Sequence, residues 1–230
     1  MQLYLNTDPQ KWPEILARPA LDLAQLEAPV NTILQEVATR GDDALLDFQA
    51  KFDGVRLAEL AVSKEEIALA AEQLPADLRT AIQTAKSNIS QFHAAQQETP
   101  LVIETMPGVR CWRKSVGIER VGLYIPGGTA PLFSTVLMLA VPAQLAGCKE
   151  IILCTPPQKD GTVHPAILYA AQLAGVARIF RLGGAPAIAA MAHGKEGSPA
   201  PYKIFGPGNA NVIIYQLFIV SCRVDSDSAA

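Results

Sequence analysis

A run of large apolar residues that breaks off at Pro-Gly-Gly constrains this chain more than any other feature. In Val121 to Ser134, VGLYIPGGTAPLFS, the residues Val121, Leu123, Tyr124 and Ile125 have the shape and branching of a strand inside a sheet. Pro126 removes a backbone donor and ends the strand, and Gly127 and Gly128 permit backbone angles that a side chain would forbid. Thr129 is placed to cap the apolar run that begins near Leu132, with Pro131 tolerated in a first helical turn. A strand that passes through a glycine turn into a helix presents N–H groups to an anion or cofactor, and it is also an ordinary strand-to-helix connection.

The same rhythm continues downstream. A helix from about Leu132 to Ala146 stops at Gly147, and Glu150 to Thr155 is a short apolar strand. Pro165 to Leu173 is a helix, Ala177 to Leu182 a strand, Ile188 to Ala192 a short helix and Tyr202 to Phe205 a last strand. Strands alternating with helices imply right-handed crossovers and a parallel sheet. Glycines stand at three strand exits: Pro126-Gly-Gly, Leu182-Gly-Gly and Gly206-Pro-Gly-Asn. Ligands bind outside the carboxyl ends of such strands, so three glycine exits point to a nucleotide-type cleft. None of them is G-x-G-x-x-G or a Walker phosphate loop. The residues alone therefore specify an α/β domain with a small-molecule cleft.

Upstream the pattern is helical from Asp22 to about Gln97. Val30, Ile33, Leu34, Val37 and Ala38 recur at helical spacing, and Leu45, Leu46 and Phe48 resume it. Lys51-Phe-Asp-Gly54 closes that segment with a glycine stop. Ser63 and Glu66 have the spacing of a capping box. Pro75 opens a longer amphipathic helix with Leu78, Ile82, Ala85, Ile89 and Phe92 on one face. Leu101 to Thr105 and Val109 to Arg113 read as two strands joined at Pro107-Gly108.

Composition narrows the function classes. A net charge of −3 leaves no basic footprint for nucleic acid, and half of the 230 residues are apolar, enough for a sizeable core. No uncharged apolar run reaches the roughly 20 residues that span a bilayer, and the N-terminus lacks a signal-peptide pattern. The four cysteines, Cys111, Cys148, Cys154 and Cys222, lack C-x-x-C spacing, and three lie in apolar surroundings. They read as buried free thiols in a reducing compartment, and the chain is expected to be cytoplasmic. His93, His164 and His193 show no ligand spacing and read as surface or capping residues.

Taken together, Glu119 to Gly128, Ala130 to Thr135 and Lys203 to Ala210 (KIFGPGNA) closely resemble the histidinol dehydrogenase family. Lys51-Phe-Asp-Gly54 and Pro107-Gly-Val109 resemble it too, and the similarity runs from about Val30 to Ala210. The resemblance implies an NAD-dependent, zinc-containing homodimer that oxidises L-histidinol twice, through an enzyme-held aldehyde, to L-histidine. The family's NAD contacts include the tyrosine of YIPGG and the asparagine of GPGNA, here Tyr124 and Asn209. A tyrosine offers a flat face and a hydroxyl, and an asparagine both donor and acceptor. Without the resemblance, Tyr124 reads as a strand-end core aromatic and Asn209 as a turn residue.

Three departures accompany the resemblance. Pro186 stands where the family has a glutamine that contacts NAD, and proline supplies neither an amide nor its own N–H. After Ala210 the residues Asn211 to Cys222 form an uncharged apolar stretch in place of a charged helix, for which a shifted or shortened reading frame is the leading explanation. The family's zinc ligands and catalytic Glu-His pair lie beyond the GPGNA loop, so no metal or catalytic residue is assigned.

The expected architecture is a Rossmann-like α/β parallel-sheet domain over residues 120–210. It is preceded by an incomplete, mainly helical part of the first domain over 1–119 and followed by a divergent tail over 211–230. A truncated enzyme inactive by itself, a nucleotide-binding or subunit-pairing fragment, and a non-functional product all remain open at this point.

Overall fold

The computed structural model describes residues 4–17, 24–128, 130–194 and 200–207. In chain order, Trp12–Ile15 (α1), Ala24–Arg40 (α2), Asp42–Phe52 (α3), Lys64–Leu69 (α4) and Ala76–Ala94 (α5) form the helical N-terminal part. Val102–Met106 (β1) and Val109–Trp112 (β2) make an antiparallel hairpin. The alternating region follows: Arg120–Tyr124 (β3), Phe133–Leu145 (α6), Glu150–Thr155 (β4), Pro165–Leu173 (α7), Arg178–Arg181 (β5), Gly184–His193 (α8) and Lys203–Phe205 (β6). The four strands of this region pair in the order β5-β4-β3-β6, every pair parallel. The expected α/β parallel sheet is therefore the fold of this chain.

Pleating divides the sheet between two cores. Val121, Leu123 and Ile125 of the β3 segment point to one face with Ile151, Leu153 and Ile179, where α5, α6 and α7 cover them. Tyr124, Cys154 and Leu182 join the opposite face, packed with Val30, Ile33 and Val37 of α2, Leu45 of α3 and Ile188 of α8. A parallel sheet covered on both faces explains why its strands read as continuous apolar runs rather than alternating ones. Gly122 is the exception within β3: a Cβ there would stand 2.6 Å from Met191 Sδ of α8.

The N-terminal helices do more than lie on the sheet. Leu60, Ala61 and Val62 run alongside the free edge of β5, with Val62 N–H donating to Ile179 O at 2.9 Å and Arg181 N–H to Leu60 O at 2.8 Å. Arg181, only 9% exposed, donates to Ala61 O at 2.6 Å and ion-pairs with Glu66. Glu66 is also the far half of the expected capping box, accepting from Ser63 N–H at 3.0 Å while Ser63 Oγ accepts from Glu66 N–H at 3.1 Å. One carboxylate thus starts α4 and fastens it to the sheet edge, which would otherwise present unpaired backbone groups.

Several expectations change in detail. Helix α8 begins at Gly184 rather than Ile188, because the glycine loop itself turns into the helix and Pro186 fits its first turn. Helix α6 begins at Phe133 with Leu132 at its cap and no side-chain cap bond, so Pro131 precedes the helix; Thr129 lies outside the described residues. Phe92, expected on the buried face of α5, is 66% exposed, with its ring edge against His93. Cys154 is buried, and burial pushes its thiol up to about 12, but Cys111 on the hairpin is exposed and Cys148 half-buried. These three are free thiols, and Cys222 lies outside the described residues. Both faces of the hairpin are exposed, including Val102, Ile103, Met106 and Trp112. Among the described residues no helix is long and apolar enough to cross a membrane.

Burial alone would raise the Glu66 carboxyl, but the hydrogen bonds from Arg181 and Ser63 outweigh it and hold the group below the ordinary glutamate range. A lowered folded-state pKa stabilises above the unfolded value and loses that stabilisation as pH falls through the folded value. Wild type should therefore resist urea better than Glu66→Gln above pH ~4.3, the unfolded glutamate value, and the gap should close on acidification below it. Urea midpoints of both proteins across that range test this.

Candidate functional site at the carboxyl ends of the strands

All four strands run the same way, so their exit loops gather at one end of the sheet. Strand β3 leaves through Pro126, Gly127 and Gly128, β4 through Pro156 and Pro157, β5 through Gly183 and β6 through Gly206. Pro156 sits between two of these loops. A Cβ on Gly127 would stand 2.7 Å from Pro156 Cγ, and one on Gly183 would stand 2.8 Å from Pro156 Cβ. A Cβ on Gly206 would stand 2.3 Å from Tyr124 O. The glycines at these exits are required by close approach of neighbouring backbone and proline ring. Gly183 has φ −106°, so it is space and not backbone strain that excludes a side chain there.

The loops after β3 and β4 enclose a pocket of about 470 Å³, whose wall includes Gly127, Gly128, Pro156, Gln158, His164 and Asp53. Its size is that of a small-molecule site. Another cavity, of about 510 Å³, lies along β5 against α3 and α8. Its wall is largely apolar, and none of the exit glycines lines it.

Tyr124 does not line the 470 Å³ pocket. Its ring is buried in the core on the α2/α8 face, and its hydroxyl accepts from Gly184 N–H at 2.9 Å. Burial raises its pKa; the Gly184 N–H works the other way, and the charges of Asp53 and Cys154 add to the rise. The hydroxyl therefore stays protonated and keeps its own proton to donate. Asn209 lies outside the described residues.

Asp53 escaped the reading of the sequence, which took Lys51-Phe-Asp-Gly54 as a glycine stop. It follows the end of α3, and Gly54 turns the chain away with φ +72°. Its Oδ2 accepts from Nε2 of the buried Gln49 at 2.6 Å. Its two oxygens stand 3.2 and 3.5 Å from the point where a Gly183 Cβ would be. Burial raises its carboxyl above the ordinary aspartate range, against the Gln49 hydrogen bond, which lowers it. The signal in the sequence was the quoted string itself, an acidic residue ahead of a glycine turn.

Surface or capping positions were expected of the three histidines. His164 caps α7, its Nδ1 accepting from Ala166 N–H at 3.1 Å, which places the neutral ring's proton on Nε2. His93 Nδ1 lies 3.0 Å from Gln96 Oε1, and His193 ends α8. Among the described residues no three His, Cys, Asp or Glu side chains come together to hold a metal ion, so these residues offer zinc no donor set.

Gly183→Ala should cost about 1–3 kcal/mol by overpacking against Pro156 and Asp53. Combined with Pro156→Ala, which opens the same space, the loss should be less than additive. Urea unfolding of the two single variants and the double variant checks both statements.

Comparison with known proteins agrees with the fold and the motifs. A family model described as histidinol dehydrogenase matches residues 16–230, beyond Val30 and Ala210 at both ends. A histidinol dehydrogenase of Bacteroides thetaiotaomicron is 57% identical over 212 residues, covering 92% of this chain and 50% of that protein. One from Escherichia coli is 52% identical over 200 residues, covering 86% and 45%. The crystal structure of histidinol dehydrogenase from Elizabethkingia anophelis superposes with a TM-score of 0.88 at 46% identity, covering 96% of this chain and 51% of that one. The chain spans about half the length of the curated relatives it matches. On the family model that matches residues 16–230 and the relatives that cover most of its length, this chain belongs to the histidinol dehydrogenase family.

Proposed function

We propose that this chain is the cofactor-side part of an NAD-dependent histidinol dehydrogenase, an oxidoreductase of histidine biosynthesis acting on L-histidinol. The observation that carries this reading is the pocket at the carboxyl ends of β3 and β4, in a chain of this family. A dinucleotide needs a surface its backbone can approach closely and a few polar groups that fix its orientation. Gly127 and Gly128 supply the first, and Asp53, Gln158 and His164 the second. When bound, NAD accepts the hydride removed from the alcohol.

Tyr124 serves this site as a positioning residue with a donor to spare. By accepting the Gly184 N–H it ties the first turn of α8 to the end of β3, which keeps Gly183 against Pro156. Asn209, three residues beyond Gly206, is the second NAD contact in this reading. Pro186 is buried in the first turn of α8 and brings no amide to the site, so affinity rests on the remaining contacts. The oxidation itself belongs to residues beyond those that this chain shares with its relatives, and the 230 residues do not turn over substrate by themselves. A second reading, a subunit-pairing fragment that joins a second copy as a homodimer, is favoured by the exposed apolar side chains of the hairpin.

Calorimetric titration of the chain with NAD should give saturable binding. Tyr124→Phe should weaken it about fivefold, the equivalent of roughly one hydrogen bond. No saturable binding by the wild-type chain would sink the reading. Supplied with L-histidinol, NAD and zinc, the isolated chain should produce no NADH, and steady NADH formation would overturn the statement that it lacks turnover.

A further inference from the structure

The pocket at the strand ends contains one acidic side chain among its described lining residues, and that side chain does not come from the sheet. Asp53 arrives from the end of α3 and is held from behind by Gln49, which is 2% exposed and donates to Oδ2 at 2.6 Å. A carboxylate has about four acceptor positions, so one hydrogen bond from Gln49 leaves most of its capacity to the pocket. Its closeness to Gly183 fixes its position from the other side.

In dinucleotide-binding βαβ units the acid that receives the adenosine ribose stands about 20 residues beyond the glycine turn, and the glycine turn receives the pyrophosphate. In this chain the strand that follows the glycine turn and α6 is β4. It runs out through Thr155, Pro156 and Pro157, none of which offers a carboxylate. Asp53 reaches the pocket walled by those residues from outside the βαβ unit. A carboxylate accepts hydrogen bonds from sugar hydroxyls and repels a phosphate attached at the same place. We propose that Asp53 is the residue that recognises the adenosine ribose of the dinucleotide and sets the preference for an unphosphorylated ribose. This rests on the NAD reading given above.

Titration of the full chain with NAD, NADP and the NAD analogue lacking the adenosine 2′-hydroxyl tests the assignment, in wild type and Asp53→Asn. Wild type should bind NAD at least about tenfold more tightly than either the deoxy analogue or NADP, the loss of one hydrogen bond to a charged group. Asp53→Asn keeps a neutral acceptor but loses the charge, so its penalty for the missing hydroxyl should shrink below that of wild type and its gap to NADP should narrow. The two losses are then coupled, as expected of groups in contact. If removing the hydroxyl weakens Asp53→Asn as much as it weakens wild type, the hydroxyl is held elsewhere and the assignment fails. The wild-type arm needs no folded variant: equal affinity for NAD and the deoxy analogue overturns it outright. Wild type that binds NAD but shows no such preference leaves the NAD reading intact, whereas wild type that binds none of the three ligands removes both.

Discussion

Everything in this fold follows from a four-stranded parallel sheet that must be covered on both faces. Its strands are too short and too apolar to tolerate water on either side. Val121, Leu123 and Ile125 require one layer of helices and Tyr124, Cys154 and Leu182 another. The crossover helices α6, α7 and α8 cannot do this alone, and the N-terminal helices complete both layers. Helix α5 packs against α6, and α2 packs against α8. Residues from the N-terminal helices and from the alternating region therefore share each core.

That sharing explains the position of the pocket. The strands end together because they are parallel, and their loops crowd each other because the helices on both faces leave them one direction to leave in. Pro156 fills the space between Gly127 and Gly183, and Gly206 lies against Tyr124. Glycine is required at these points by packing between loops, and the left-handed backbone matters elsewhere, as at Gly54, where the chain turns away from Asp53. The fastening of residues 60–62 along β5, through Arg181 and Glu66, holds the α3–α4 connection in place and with it the segment that delivers Asp53.

Two residues show how far the site could be read from the chain. Tyr124 was singled out by its place in YIPGG, and its alternative reading as a strand-end core aromatic describes where its ring lies. Its hydroxyl, through Gly184, reaches the loop next to the pocket. Asp53 was passed over although its motif was quoted, since nothing within Lys51 to Gly54 indicates that the turn ends beside a loop some 130 positions later in the chain. The helices were legible where their signals are local: Ser63 with Glu66, Pro165 after His164, and the glycine stop at Gly147. The start of α8 was not, because a glycine pair reads as a loop until Tyr124 engages its first N–H.

By itself the sequence determined the elements and their order. Apolar runs, proline and glycine stops and the strand–helix alternation act over a few residues, and the parallel sheet follows from the handedness of the connections. Only the tertiary structure decided which residues meet: Asp53 with Gly183, Glu66 with Arg181, Tyr124 with Gly184. Each of these contacts spans a long stretch of chain, and its formation depends on the packing of whole layers, which no local pattern encodes.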